Sequence, residues 1–125
     1  MAVSPDFREF VLEQMGRVAP VSGKSMFGGV GVRSEGVFFA LISGGSVFLK
    51  VDDTNRPDYE AAGMGPFDPW GDGRMLMSYH ELPAELLEDP DALRPWMQKA
   101  LDVARRTRKP ARRSRAGGRG RPAPE

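Results

Sequence analysis

Apolar residues fall along this chain in two spacings that separate its helices from its strands. Leu93, Trp96, Met97, Ala100, Leu101 and Ala104 recur at i, i+3, i+4, i+7, i+8 and i+11, the clearest helical stripe in the sequence. Asp89-Pro90 announces it with a cap followed by proline, Pro83 to Leu87 supplies a single turn before it, and Pro95 predicts a kink or a late start. A second stripe, Phe7, Phe10, Val11, Met15 and Val18, opens at Ser4-Pro5 and is stopped by Pro20. Between the two the period changes. Val37 to Ile42 and Val47 to Leu49 are short apolar runs joined by Ser43-Gly44-Gly45-Ser46, a hairpin signature. A third strand, Met26 to Arg33, precedes them across the turn Ser34-Glu35-Gly36, while Val21 to Lys24 reads as a polar loop. After the meander, Asp53, Thr54 or Asn55 caps a short helix through Pro57, Tyr59 and Ala61 to Gly63. A second hairpin then runs from Pro66 to Trp70, turns at Gly71-Asp72-Gly73, and returns from Arg74 to Tyr79. Its prolines suit an edge strand.

These elements make an α+β domain of two layers, a mainly antiparallel five-stranded sheet with helices packed on it, in the order α-β-β-β-α-β-β-α. Alternate residues of a strand point to opposite faces, and in Val37–Ile42 both faces are apolar. By strict alternation Val37, Phe39 and Leu41 share one face, which Phe48 continues on the next strand, and Phe38, Ala40 and Ile42 share the other. Helices cover one face of such a sheet. The face left open is the expected surface for self-association or a partner, and Val37, Phe39, Leu41 and Phe48 are the candidate interface.

Composition narrows the chemistry. The chain of 125 residues is one domain's worth and can bury a core without disulfides, which its lack of cysteine forbids. No basic-then-apolar leader and no run long enough to span a membrane are visible, so the expected location is cytoplasmic. Charge is divided along the chain. Residues 1–104 carry nine Lys/Arg against sixteen Asp/Glu, a net −7, whereas residues 105–125 carry nine against Glu125 alone, a net +8. The second segment has no large apolar residue and reads as a disordered basic tail on a domain of residues 1–104. Its guanidinium-rich composition suits phosphate, and Arg105, Arg106, Arg108, Lys109, Arg112, Arg113 and Arg115 are the candidate nucleic-acid contacts, non-specific and electrostatic. It has no aromatic residue on which a base could stack, and the acidic body should repel phosphate.

Other features have structural readings. Phe27-Gly28-Gly29-Val30-Gly31 precedes a strand and not a helix, so it is read as close backbone packing or a bulge rather than a phosphate cradle. His80 is the sole histidine, too few for a metal site and without a nucleophile and third group in register. Asp52-Asp53 and Glu88-Asp89 stand before helices, where carboxylates cap and favour the helix dipole. No catalytic, cofactor-binding or metal-binding residue is assigned.

Five stretches, Ser25-Met26-Phe27-Gly28-Gly29, Gly36 to Ile42, Leu49 to Asn55, Tyr59 to Gly63 and Met77 to Pro83, occur in an order and spacing that resemble the TfoX N-terminal domain family, over about Phe7 to Ala104. The resemblance implies the same element order, similar to secretion-chaperone-like two-layer folds. It also implies a link to TfoX/Sxy regulators of natural competence, which act with a cyclic-AMP-responsive transcription activator, and supplies no catalytic residues. The leading expectation is a non-enzymatic regulatory or adaptor protein that binds a protein partner, a transcription regulator being one candidate, with a basic tail near nucleic acid. The alternatives are a small-molecule-binding or enzymatic domain with a pocket near Arg33, Tyr79 and His80, and a structural homodimer.

Overall fold

The computed structural model describes residues 3–26, 28–68 and 76–107. Helix α1 (Pro5–Gly16) begins as the cap signal predicts, with the Phe7 amide donating to Ser4 Oγ at 3.1 Å. Strands β1 (Ser22–Met26), β2 (Gly29–Ser34), β3 (Val37–Ser43) and β4 (Ser46–Lys50) follow as an antiparallel meander. Helix α2 (Arg56–Ala61), β5 (Pro66–Phe67), β6 (Leu76–Glu81), a 3₁₀ turn (Ala84–Glu88) and α3 (Pro90–Thr107) complete the chain. The sheet is wholly antiparallel, in the order β1-β2-β3-β4-β6-β5, so the α+β two-layer architecture stands with six strands in place of five.

The extra strand is β1. Its sequence, Ser22-Gly23-Lys24-Ser25-Met26, lacks apolar alternation because it is an edge, paired on one side only. Helix α1 holds it down: Arg8 donates to the Gly23 carbonyl at 3.0 Å and to Ser25 Oγ at 3.1 Å. The glycines beyond it serve packing. A Cβ on Gly29 would lie 2.5 Å from the Ile42 carbonyl oxygen of β3, a contact that backbone cannot relieve. Between β2 and β3, Glu35 and Gly36 both take positive φ, 52° and 83°, the backbone of a two-residue turn that matches strand twist.

Helix α3 crosses β3 and β4, α1 packs against α3 and the 3₁₀ turn, and α2 leans on β6. Val11 and Met15 of α1, Tyr59 of α2, and Leu93, Met97, Ala100, Leu101 and Ala104 of α3 meet Val30, Val32, Val37, Phe39, Ala40, Ile42, Val47, Leu49 and Val51 in one core. Phe10, placed on the inner face of α1 by the periodicity, is 38% exposed. It stands one residue, about 100°, around the helix from Val11, which lies at the centre of the buried stripe. Helix α3 starts at Pro90 and runs through Pro95 with no late start. Asp89 caps it, accepting from the Asp91 and Ala92 amides, as expected of that carboxylate. Asp52 does something different from capping a helix. It closes a turn by accepting from both the amide and the hydroxyl of Thr54, while Asn55 holds the Asp52 amide and the Lys50 carbonyl.

Helix α3 also runs past Ala104. Arg105 and Arg106, assigned by composition to the tail, are helical: Arg105 pairs with Asp102 at 3.3 Å, and Arg106 donates to Asp52 at 2.9 Å and to Thr54 at 3.0 Å. The bonds to Thr54 and Arg106 hold the Asp52 carboxyl down at about 2. Residues 108–125, the rest of the expected tail, lie outside the described residues.

The largest departure from alternation is in β3. Val32 pairs with Ala40 but Arg33 pairs with Phe38, so Phe39 is an extra residue, a β-bulge. Phe39 and Ala40 consequently both enter the core, and each is 0% exposed. Past the bulge the faces exchange. Val37, Phe39, Ala40 and Ile42 lie under the helices, and Phe38 and Leu41 lie on the opposite face with Arg33 and Phe48, their cross-strand partners. The grouping of Val37 and Phe39 with Leu41 and Phe48 is therefore corrected.

Phe39→Ala should cost about 3–5 kcal/mol of unfolding free energy by urea denaturation, the range for a fully buried aromatic. Phe38→Ala, on the half-buried side, should cost clearly less. Equal losses would contradict the exchange of faces.

Candidate binding surface

The described helices pack on the core face of the sheet, the last turn of α3 reaching one end of the second face, where the cross-strand register arranges the side chains in two rows. In the row nearer the Glu35-Gly36 turn stand Arg33 of β2, Phe38 of β3, Lys50 of β4 and Tyr79 of β6, since Arg33 pairs with Phe38 and Lys50 with Tyr79. The next row holds Gly31, Leu41, Phe48 and Glu81, paired in that order. Phe67 of β5 packs on Phe48 with ring centroids 4.3 Å apart. Lys24 and Met26 of β1 extend the face to the sheet edge, and a Cβ on Gly31 would meet Met26 Sδ at 2.5 Å and the Phe38 ring at 3.1 Å.

The first row is a stack of alternating charge and aromatic surface. The Arg33 guanidinium lies 5.4 Å from the Phe38 centroid, the Phe38 and Tyr79 rings are 6.1 Å apart, and Lys50 Nζ lies 5.0 Å from the Tyr79 centroid. Burial pushes the Tyr79 phenol pKa up. A cavity of about 240 Å³ opens here, between Arg33, Gly36, Val37, Phe38, Lys50 and Tyr79 of the sheet and Ala104 and Thr107 at the last turn of α3. The second row is apolar at Leu41, Phe48 and Phe67 and polar at Glu81, whose carboxylate accepts from Ser46 Oγ at 3.1 Å.

This arrangement sorts the residues singled out in the sequence. Of the four candidate interface residues, Leu41 and Phe48 lie on the open face, and Val37 and Phe39 lie in the core. Alternation missed Phe38 and Phe67 as members of the open face. No glycine or proline in β3 signals the bulge that turns Phe38 outward. Of the candidate nucleic-acid contacts, Arg105 and Arg106 end α3 in ion pairs, while Arg108, Lys109, Arg112, Arg113 and Arg115 lie outside the described residues.

A pocket shared by Arg33, Tyr79 and His80 does not form, because adjacent residues of β6 face opposite ways. Tyr79 joins Arg33 on the open face, and His80 is 3% exposed on the helix side, its ring 5.8 Å from Tyr59. His80 Nδ1 and Tyr59 Oη are both buried with no hydrogen-bond partner among the described residues. Burial raises the Tyr59 pKa. Burial, with Arg56 nearby, lowers that of His80 below the ordinary 6.5, opposed by Glu60. Among the described residues no cluster of His, Asp and Glu is placed to hold a metal ion. No described helix is long and apolar enough to cross a membrane.

Comparison with known proteins gives one family: the profile of the TfoX N-terminal domain matches residues 13–104. No curated protein matches the chain.

His80 binds a proton less readily in the folded protein than in the unfolded chain, so stability is whole above pH 6.5 and falls as pH drops through its lower folded midpoint. An NMR titration should place that midpoint below 6.5. Because His80 is the sole histidine, His80→Phe should remove the loss of melting temperature that the unaltered protein shows as pH falls below the ordinary 6.5 through the lowered midpoint. A midpoint at or above the ordinary value would contradict the burial.

Proposed function

The chain belongs to the TfoX N-terminal domain family, and from that premise we propose that it is a non-enzymatic regulatory adaptor whose open sheet face seats a protein partner. The observation that carries this reading is the row Leu41, Phe48 and Phe67 on the face opposite the core, with Leu41 and Phe67 half-buried around a Phe48 that is 9% exposed. Apolar side chains clustered on a sheet face mark an interaction surface, and covering the half-buried Leu41 and Phe67 is worth less than the about 1.5–3 kcal/mol of a fully exposed side chain. The cationic segment that follows Thr107 carries Arg108, Lys109, Arg112, Arg113, Arg115, Arg119 and Arg121. It holds the adaptor near nucleic acid by releasing counterions. The TfoX-type role in transcription and competence, and a cytoplasmic setting, belong to the same proposal.

Leu41→Gln should leave the cooperative melt in place and weaken the partner by at least about tenfold, the equivalent of 1.4 kcal/mol, read by pull-down of the full chain after nuclease treatment. Undiminished capture by the variant would overturn the protein-binding role of this face. Self-association that sedimentation detects and Leu41→Gln abolishes would replace the foreign partner by a second copy.

Duplex affinity should be set by the cationic segment. If about six of its charges meet phosphates, log K falls against log salt with a slope of about −5. Changing Arg112, Arg113 and Arg115 to glutamine should flatten that slope by about 2.7. An unaltered slope would take nucleic acid away from this segment.

A further inference from the structure

The acidic body does not spread its cations evenly. Among the described Lys and Arg residues, Arg17, Arg56, Arg94, Lys99, Arg105 and Arg106 each have a carboxylate within ion-pair distance. Arg8 is occupied by Gly23 and Ser25. Lys24, Arg33 and Lys50 have no carboxylate partner among the described residues, and all three belong to the open sheet face. Glu81 lies in the row of Lys24 and Gly31 but four strands across the sheet from Lys24, and is engaged by Ser46; Glu35 stands exposed on the turn at the rim. Three cations left unneutralised in a body rich in carboxylates make a local field for an anion.

Aromatic surface lies between them. Phe38, half-buried, and Tyr79, 8% exposed, line the 240 Å³ cavity, with Arg33 over one ring and Lys50 over the other. That volume is smaller than the usual pocket for a whole drug-sized ligand and admits one planar ring system. Charge flanking a stacking surface is the arrangement that takes an unpaired base with its neighbouring phosphates. A duplex hides its bases in the stack, and this face has no projecting helix to enter a groove. Thr107, the last described residue before the cationic segment, lines the same cavity. The segment has charge and no aromatic residue; the face has the aromatic pair.

We propose that the Arg33–Phe38–Tyr79–Lys50 end of the open sheet face is a binding site for single-stranded nucleic acid, in which one base stacks on the half-buried Phe38, backed by the buried Tyr79, and the flanking phosphates meet Lys24, Arg33 and Lys50. The site rests on the reading that the cationic segment contacts nucleic acid, and gives that contact a preference for unpaired strands. Where the base enters, the Arg33 guanidinium lifts from Phe38 and exchanges a ring for a phosphate. Leu41, Phe48 and Phe67 remain available to a protein partner on the other row.

The test is fluorescence anisotropy of the full chain with a labelled twelve-nucleotide oligothymidylate and a twelve-base-pair duplex at the same salt. The single strand should bind more tightly. Phe38→Leu should weaken it by on the order of 10- to 100-fold, the cost of one lost stack, and leave duplex affinity unchanged. Arg33→Gln, at an exposed position, should weaken the single strand without lowering the melting temperature, which separates lost contact from lost fold. Single-strand binding no tighter than duplex binding and indifferent to both substitutions overturns the site and leaves the segment's role intact. Binding of neither oligonucleotide overturns both. Poly-glutamate bound as tightly as the oligonucleotide, and lost equally on Phe38→Leu, assigns the site to acidic polypeptide and overturns it as a base-stacking site.

Discussion

The register of one strand decides what this protein presents to its surroundings. β3 is central, hydrogen-bonded to β2 on one side and β4 on the other, and apolar at Val37 to Ile42. A regular strand of that composition would divide its large side chains evenly between the faces. The bulge at Phe39 breaks the division, because two consecutive residues opposite a single partner both enter the helix side. Phe39 and Ala40 fill the core beneath α3, and Phe38 is left to face outward beside Arg33. Without the extra residue Phe38 would lie among the helices and Phe39 outside, and the row of Arg33, Phe38, Lys50 and Tyr79 would not exist.

Much of the fold was legible because its signals are local. Ser4-Pro5 and Asp89-Pro90 start helices through the geometry of a side-chain oxygen and a fixed φ, and both helices begin there. The stripe of α3 is visible because a helix packed on a sheet must repeat every 3.6 residues. β1 was not legible. An edge strand held by Arg8 and by pairing to β2 needs no apolar alternation, so Ser22 to Ser25 resemble a loop. Nor was the end of α3: the helical stripe gives out at Ala104, yet Arg106 reaches back to Asp52 and Thr54, residues more than fifty positions earlier, a contact that periodicity does not encode.

The binding surface was half legible for the same reason. Leu41 and Phe48 are cross-strand neighbours whichever face β3 presents, so their association follows from the hairpin alone. Val37 and Phe39 were drawn with them by a period of two that holds only in a strand without bulges. Arg33 and Tyr79 do line one cavity, but His80 is the next residue of β6 and turns to the opposite side, under α2 and beside Tyr59. Membership of the TfoX N-terminal domain family accounts for the framework without assigning this surface a ligand.

Charge and shape together restrict what such a surface can hold. Through Thr107 the chain carries eleven Lys/Arg against sixteen Asp/Glu, a net −5, so a polyanion approaching the body at random meets repulsion. On the helix side carboxylates meet arginine or lysine locally, as at Arg56–Asp53 and Lys99–Asp58. Exposed pairs of this kind add little stability, but they cancel local field. Among the described residues the sheet face keeps Lys24, Arg33 and Lys50 uncancelled. An anion is therefore drawn to one rim of the molecule and not to its whole surface. The half-buried Phe38 ring offers a planar group short-range attraction that a flexible acidic chain gains far less from, so stacking is the step at which the proposed site would discriminate after the long-range field has brought the ligand in.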